Sequence, residues 1–132
     1  MGAPLVLLVD DDQDFLVINR TFLEGAGYRV ETADSGAAGL ERALAHPPDV
    51  AIVDLMMEEM DAGVWLAYQM RLRPELAGIP IIMLTGVRDE TGFDFTLRTA
   101  EEREWLGVQQ WVEKPLGRQQ LLELVAAALP RE

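Results

Sequence analysis

Four short, largely apolar runs in this chain each lead to one polar side chain, and no other feature constrains the fold as strongly. The runs are Leu5–Val9, Val50–Val53, Ile79–Leu84 and Trp111–Glu113, and they lead to Asp10, Asp54, Thr85 and Lys114 respectively. Continuous apolar runs of this length are typical of strands buried on both faces of a parallel sheet. Ligands of such sheets bind just beyond the carboxyl ends of the strands. The sequence therefore predicts one shared site at one edge of a sheet.

Segments with helical periodicity alternate with these runs. Helices are predicted near 15–25, 36–45, 64–72, 95–105 and 118–129, and a weaker edge strand over 28–33. Among the apolar residues assigned to the first helix are Phe15, Ile18 and Phe22, with Gly25 and Gly27 as its stop. The order βαβαβαβαβα implies parallel pairing with right-handed crossovers. We therefore predict a single α/β domain with a five-stranded parallel sheet.

Composition excludes several classes of function. The net charge of −12 argues against a nucleic-acid or anionic-membrane surface, because both require patches of Lys and Arg. The absence of cysteine rules out disulfides, thiolate catalysis and Cys-ligated zinc. No run approaches the length of a membrane span or has the form of a signal peptide. We expect a cytoplasmic protein.

The polar residues at the predicted sheet edge suit a cation and a phosphoryl group. Taken singly, aspartates often cap helices or end strands, and Asp12 or Asp14 is predicted to cap the first helix. If strands 1 and 3 are neighbours, however, Asp10, Asp11 and Asp54 face one another. Two carboxylates about 4 Å apart repel by roughly 1–4 kcal/mol, so a hard cation such as Mg²⁺ would relieve the crowding.

Three further residues suit a phosphoryl group at the same edge. The Thr85 hydroxyl can donate a hydrogen bond, and the Lys114 ammonium can supply a mobile positive charge. Gly86 leaves the backbone room to approach a ligand. Each of these residues alone would be unremarkable, and only their convergence points to a site.

Five motifs in order give the chain a resemblance to a known family, the receiver domain of two-component response regulators, also called the CheY-like superfamily. They are Leu-Val-Asp-Asp-Asp (8–12), Val-Asp-Leu-Met-Met (53–57), Met-Asp-Ala-Gly (60–63), Met-Leu-Thr-Gly (83–86) and Trp-Val-Glu-Lys-Pro (111–115). The resemblance spans essentially the whole chain. It implies a flavodoxin-like (βα)5 doubly wound sandwich with strand order 2-1-3-4-5 and helices on both faces. One receiver domain over 1–132, without an output domain, is expected.

The resemblance also implies roles for individual residues. Asp54 would accept a phosphoryl group from a sensor histidine kinase or a phosphotransfer protein. Mg²⁺, or Mn²⁺, would be held by Asp11 directly, by Asp10 largely through water, by Asp54 and by the backbone carbonyl of Met56.

The phosphoryl oxygens would contact Thr85, Gly86 and Lys114, and Trp111 would change rotamer together with Thr85. The switch would act on the face formed by the fourth helix, the fifth strand and the fifth helix (α4-β5-α5), which is also the surface through which a homodimer could form. On this interpretation the chain assists its own phosphorylation and dephosphorylation and is not a turnover enzyme.

Several positions depart from the family pattern. Glu58-Glu59 stands where Pro-Gly is usual, and the apolar Met56 and Val87 predict a phosphorylated state that is not short-lived. The long segment 86–110 carries Phe93, Phe95 and Trp105, which belong either to the core of an enlarged fourth helix or to a partner-binding surface.

Two other functions remain open. A pseudo-receiver scaffold would never see phosphate, but such scaffolds lose the aspartate pair or the lysine. A metal-dependent phosphatase or a flavodoxin-like cofactor binder would share the fold. The chain has no Asp-x-Asp-x-Thr arrangement and no Gly-rich or Ser/Thr-rich phosphate loop to support either.

Overall fold

A computed structural model describes residues 3–55, 62–85, 108–113 and 116–129 of the chain, and the statements below refer to these residues. Its elements are β1 (Leu5–Val9), α1 (Gln13–Gly25), β2 (Arg29–Ala33), α2 (Gly36–Ala45), β3 (Val50–Asp54), α3 (Ala62–Arg71), β4 (Ile81–Thr85), β5 (Val108–Glu113) and a last helix (Arg118–Ala128). The strands form one sheet in the order β2-β1-β3-β4-β5, and every pair is parallel. The predicted fold class and strand order are confirmed.

The sheet is covered on both faces, which explains why its central strands are apolar without interruption. Leu7 and Val9 of β1 point into a core that includes residues of α2 and α3. Val6 and Leu8 point to the opposite face, into a core shared with α1 and the last helix. All five residues of β1 are buried. Alternation of polar and apolar residues is therefore absent, as expected for a strand without a solvent-facing side.

The helix starts follow from local chemistry. The carboxylate of Asp12 accepts a hydrogen bond from the Phe15 amide at 3.2 Å and so caps α1, as predicted. In the same way the Ser35 hydroxyl accepts from the Ala38 amide at 3.1 Å and caps α2. After α1 the chain turns through Gly27, whose φ of 99° is in the left-handed region that favours glycine.

Some details differ from the sequence prediction. Ile18 lies in the first helix as predicted but is 51% exposed, because α1 buries Leu16, Asn19 and Leu23 against the sheet. The fourth strand begins at Ile81, two residues later than predicted, and β5 begins at Val108, three residues earlier. β5 pairs only with β4 in the described sheet, so its sequence need not be continuously apolar.

Other expectations lie partly or wholly outside the described residues. These include the helix predicted near 95–105, with Phe93, Phe95 and Trp105, and residues 56–61 of the acidic loop. Among the helices that are described, none combines the length and apolar character that a membrane crossing requires.

Candidate metal and phosphoryl site

Two buried aspartates meet at the carboxyl ends of neighbouring strands. β1 pairs with β3 so that Val9 lies opposite Val53, which brings Asp10, just after β1, close to Asp54, the last residue of β3. The Asp10 amide donates to the Ala33 carbonyl of β2 at 3.0 Å, which anchors this end of the chain to the sheet. Asp10 is fully buried and Asp54 is 5% exposed. Few carboxylates are this buried unless a partner compensates for the lost hydration.

Asp11 completes a cluster of three carboxylates. One carboxylate oxygen from each of Asp10, Asp11 and Asp54 lies within 4.8 Å of the others. Asp11 is exposed, so its side of the cluster is open to water. One Asp10 oxygen, Oδ1, accepts from the Asp12 amide at 2.9 Å, which orients that carboxylate. An all-oxygen donor set with one open side fits Mg²⁺, which keeps several of its water ligands when it binds proteins.

Thr85 lies at the same edge of the sheet, one strand further along. β3 and β4 pair so that Asp54 lies opposite Leu84, the residue before Thr85. The Thr85 hydroxyl donates a hydrogen bond to the Val112 carbonyl of β5 at 3.4 Å. That bond is longer than the common range for a hydroxyl donor and is correspondingly weak. Thr85 therefore holds its donor proton in a contact that a better acceptor could replace.

Gly63 is a further component of the site to which sequence reasoning gave no role. Its amide donates to the Leu55 carbonyl at 2.9 Å, which attaches the first turn of α3 to the end of β3. A Cβ at this position would lie 2.7 Å from Leu55 Cα and 2.9 Å from the carbonyl carbon of Asp54. The sequence signals were its place in the Met-Asp-Ala-Gly (60–63) motif and in the predicted connection between strand and helix, and neither indicates a close backbone approach, because glycine is common in such connections.

The remaining predicted site residues are described only in part or not at all. Met56, Gly86 and Lys114 lie outside the described residues. The backbone of Trp111 lies in β5 opposite Met83, and its side chain is not among those described. The three aspartates and Thr85 are thus the predicted residues that can be placed at one edge.

Comparison with known proteins agrees with the fold. Residues 6–126 match the response regulator receiver domain family. The transcriptional regulatory protein GltR of Pseudomonas aeruginosa is 33% identical over 126 residues, which are 96% of this chain and 49% of that protein. The transcriptional regulatory protein KdpE of Mycobacterium tuberculosis is 35% identical over 127 residues, covering 96% of this chain and 51% of that protein. The chain thus spans about half the length of these curated relatives.

A solved structure gives the same result. The chemotaxis protein CheY4 of Vibrio cholerae superposes with a TM-score of 0.81 at 29% identity, covering 97% of this chain and all of that one. This chain belongs to the response regulator receiver domain family. Members of that family are signalling phosphoacceptor switches of two-component systems, phosphorylated on aspartate and binding Mg²⁺ at an acidic cluster. The resemblance predicted from the five motifs is confirmed.

Proposed function

We propose that this chain is a phosphoacceptor switch in which Asp54 takes a phosphoryl group from a sensor histidine kinase or a phosphotransfer protein. The observation that supports this most directly is the meeting of three carboxylates, two of them buried, at the ends of β1 and β3. Asp10, Asp11 and Asp54 are assigned to Mg²⁺, with the Met56 carbonyl as a further ligand from the family pattern. Mn²⁺ is the alternative cation, because it prefers the same oxygen donors.

The chain contributes position and charge to the transfer. When bound, Mg²⁺ would neutralise the charge on the carboxylates and on the phosphoryl oxygens. Asp54 is held at the end of a buried strand, so its carboxylate meets the donor with little conformational freedom left to lose. One Asp54 oxygen forms a bond to phosphorus as the bond between phosphorus and the donor's histidine nitrogen breaks.

Thr85 and Lys114 are assigned to the phosphoryl oxygens, with Gly86 beside them. The aspartyl phosphate adds up to about two negative charges and three strong acceptors next to Thr85. Since the bond from Thr85 to the Val112 carbonyl is long, the hydroxyl can exchange it for a phosphoryl oxygen at small cost. The movement of Thr85 would be transmitted to β5. With a rotamer change of Trp111, it would alter partner contacts or a homodimer on the face formed by the fourth helix, the fifth strand and the fifth helix.

Intact mass after incubation with acetyl phosphate and Mg²⁺ tests this proposal. We expect a single phosphoryl adduct on the wild type that is lost in Asp54→Asn and lost when Mg²⁺ is chelated beforehand. The matched control is Asp14→Asn, a change in the exposed first turn of α1, which should keep the adduct.

The alternative is a pseudo-receiver scaffold, and a second measurement separates the two. A wild type that shows no adduct with acetyl phosphate or with a cognate kinase, and no Mg²⁺ binding by calorimetry, would contradict the proposal and favour the scaffold. Adduct formation on Asp54→Asn would also contradict it, because another residue would then be the acceptor.

A further inference from the structure

We propose that Gly63 is a positioning residue for the phosphoacceptor, because its missing side chain lets α3 pack directly on the backbone that carries Asp54. This inference rests on the proposed function and extends it to a residue outside the set of ligands. Gly63 would touch neither the cation nor the phosphoryl group.

The peptide after Asp54 is held from two sides. The Leu55 amide donates to the Leu84 carbonyl of β4 at 2.8 Å, and the Leu55 carbonyl accepts from the Gly63 amide at 2.9 Å. Leu55 itself is 2% exposed. The chain that leaves Asp54 is therefore clamped between β4 and the first turn of α3.

A methyl group at position 63 would lie between α3 and the backbone of Asp54 and Leu55. Ordinary van der Waals contact begins at 3.4 Å, whereas the added Cβ would lie 2.7 Å from Leu55 Cα. Its other close neighbours are backbone atoms of Asp54, which cannot turn away as the end of a side chain can. Either α3 or the end of β3 must shift to make room.

Other buried or exposed glycines differ in this respect. A Cβ at Gly39 would meet the side-chain methyl groups of Leu66 and Val9, which can rotate, and a Cβ at Gly78 would meet nothing within 4 Å. Among the glycines that the structure describes, Gly63 is the one whose close neighbours are the backbone of the phosphoacceptor and of the next residue.

The shift matters because Mg²⁺ tolerates little displacement of its ligands. It requires near-ideal octahedral geometry at about 2.0–2.1 Å, whereas Ca²⁺ accepts about 2.3–2.6 Å and variable geometry. Binding constellations must generally be held to within about 0.5 Å. A displaced Asp54 should thus weaken Mg²⁺ binding more than Ca²⁺ binding, and general loss of stability would not produce that difference.

The experiment compares the wild type with Gly63→Ala, Gly78→Ala and Leu76→Ala by calorimetric titration with Mg²⁺ and Ca²⁺, and follows urea unfolding of the metal-free proteins. Leu76 is fully buried in the segment that connects α3 to β4. Its truncation should therefore lower stability by forming a cavity away from the site. We expect Gly63→Ala to raise the Mg²⁺ Kd at least tenfold and the Ca²⁺ Kd less than about threefold. Gly78→Ala and Leu76→Ala should keep the wild-type ratio of the Mg²⁺ Kd to the Ca²⁺ Kd.

The outcomes distinguish the inference from the function beneath it. A wild type that neither binds Mg²⁺ nor forms the adduct overturns both. A wild type that does both, beside a folded Gly63→Ala with unchanged Mg²⁺ and Ca²⁺ constants, overturns the positioning role alone.

Hydrogen exchange of the wild type tests the inference even if Gly63→Ala does not fold. Mg²⁺ should slow exchange of the Gly63 amide, bonded to Leu55, more than that of the Gly39 amide, which donates to the carbonyl of Ser35, the N-cap of α2, at 2.9 Å. An equal change at the two amides would contradict the coupling.

Discussion

Three consecutive aspartates after β1 have three different environments. Asp10 is buried and accepts from the Asp12 amide, Asp11 is exposed beside Asp54, and Asp12 caps α1 through the Phe15 amide. The three identical side chains therefore have different surroundings, because the backbone after β1 points each of them in a different direction. Substitutions at adjacent positions should separate metal binding from stability.

Replacing Asp10 with Asn should stabilise the metal-free protein while weakening Mg²⁺ binding. The amide oxygen can still accept from Asp12, but one of the crowded charges is gone, which relieves about 1 kcal/mol or more of repulsion. We expect the metal-free free energy of unfolding to rise by about that amount and the Mg²⁺ Kd to rise at least tenfold. Urea unfolding in chelator and calorimetry measure the two quantities. A metal-free protein less stable than the wild type would contradict net repulsion among the three clustered carboxylates.

Asp12→Ala should lower stability and leave Mg²⁺ binding nearly unchanged. The substitution removes the capping hydrogen bond to Phe15 and should lower the free energy of unfolding by about 1 kcal/mol. The Mg²⁺ affinity should change less than threefold, because Asp12 is not one of the clustered carboxylates. Asp12→Asn, which retains a capping oxygen, is the matched control and should recover most of the stability. A large loss of Mg²⁺ affinity in Asp12→Ala would instead assign it to the site.

At the scale of elements, α3 is fixed at both ends by hydrogen bonds to the chain beside it. Its first turn is bonded to Leu55 through the Gly63 amide, and at its other end Arg71 Nη1 donates to the carbonyls of Ala77 at 3.0 Å and Ile79 at 2.9 Å. Desolvation by burial lowers the pKa of Arg71 below its ordinary value. Guanidinium nevertheless stays charged throughout the physiological range, so this group makes stability depend on pH only in strong alkali.

Arg71→Met should therefore destabilise the fold without altering the site. Two carbonyls lose a charged donor, which should lower the free energy of unfolding by about 1–3 kcal/mol, equally across roughly pH 6–9. Arg20→Met is the control, since Arg20 pairs with Glu24 at 3.0 Å on an exposed surface where such pairs contribute little. Urea unfolding at several pH values measures both. A pH-dependent loss in Arg71→Met would contradict this account of Arg71.

At the scale of the whole molecule, the net charge of −12 acts on both stability and partners. A cation bound at the cluster of carboxylates stabilises the folded state by mass action, by about 2.7 kcal/mol at a concentration one hundred times its Kd. Monovalent salt screens the general repulsion but does not occupy a site.

Mg²⁺ should raise the wild-type midpoint of urea unfolding well above that in NaCl of equal ionic strength. Asp11→Asn should lose this difference, because it removes one of the three clustered carboxylates, and its exposed position should spare the fold. Equal midpoints in Mg²⁺ and in NaCl would assign the whole effect to screening.

The same charge leads us to expect no DNA binding by these 132 residues. GltR and KdpE are named transcriptional regulators, and each is about twice as long as the segment that this chain matches. Fluorescence anisotropy with random duplex DNA in 50 mM salt, a low ionic strength that favours binding, should show no change. Saturable binding that weakens with salt would contradict this expectation.

The elements and the site residues could be read from sequence to different extents. Buried strands were recognisable because a sheet covered on both faces requires uninterrupted apolar residues, as in β1 and in residues Val50–Val53 of β3. The exposure of Ile18 was not predictable from spacing alone, because the angle at which α1 meets the sheet depends on residues far away in sequence. The start of β5 was obscured because a strand paired on one side can contain polar residues.

The sequence by itself determined which side chains end the strands, because hydrophobic periodicity and turn chemistry are local properties. Only the tertiary structure brought Asp10, Asp11 and Asp54 to within 4.8 Å of one another, since that distance depends on β1 and β3 being neighbours in register. It alone also revealed the contact of Gly63 with the backbone of Asp54. How closely two segments approach is decided by the packing of the whole core, and no local pattern records it.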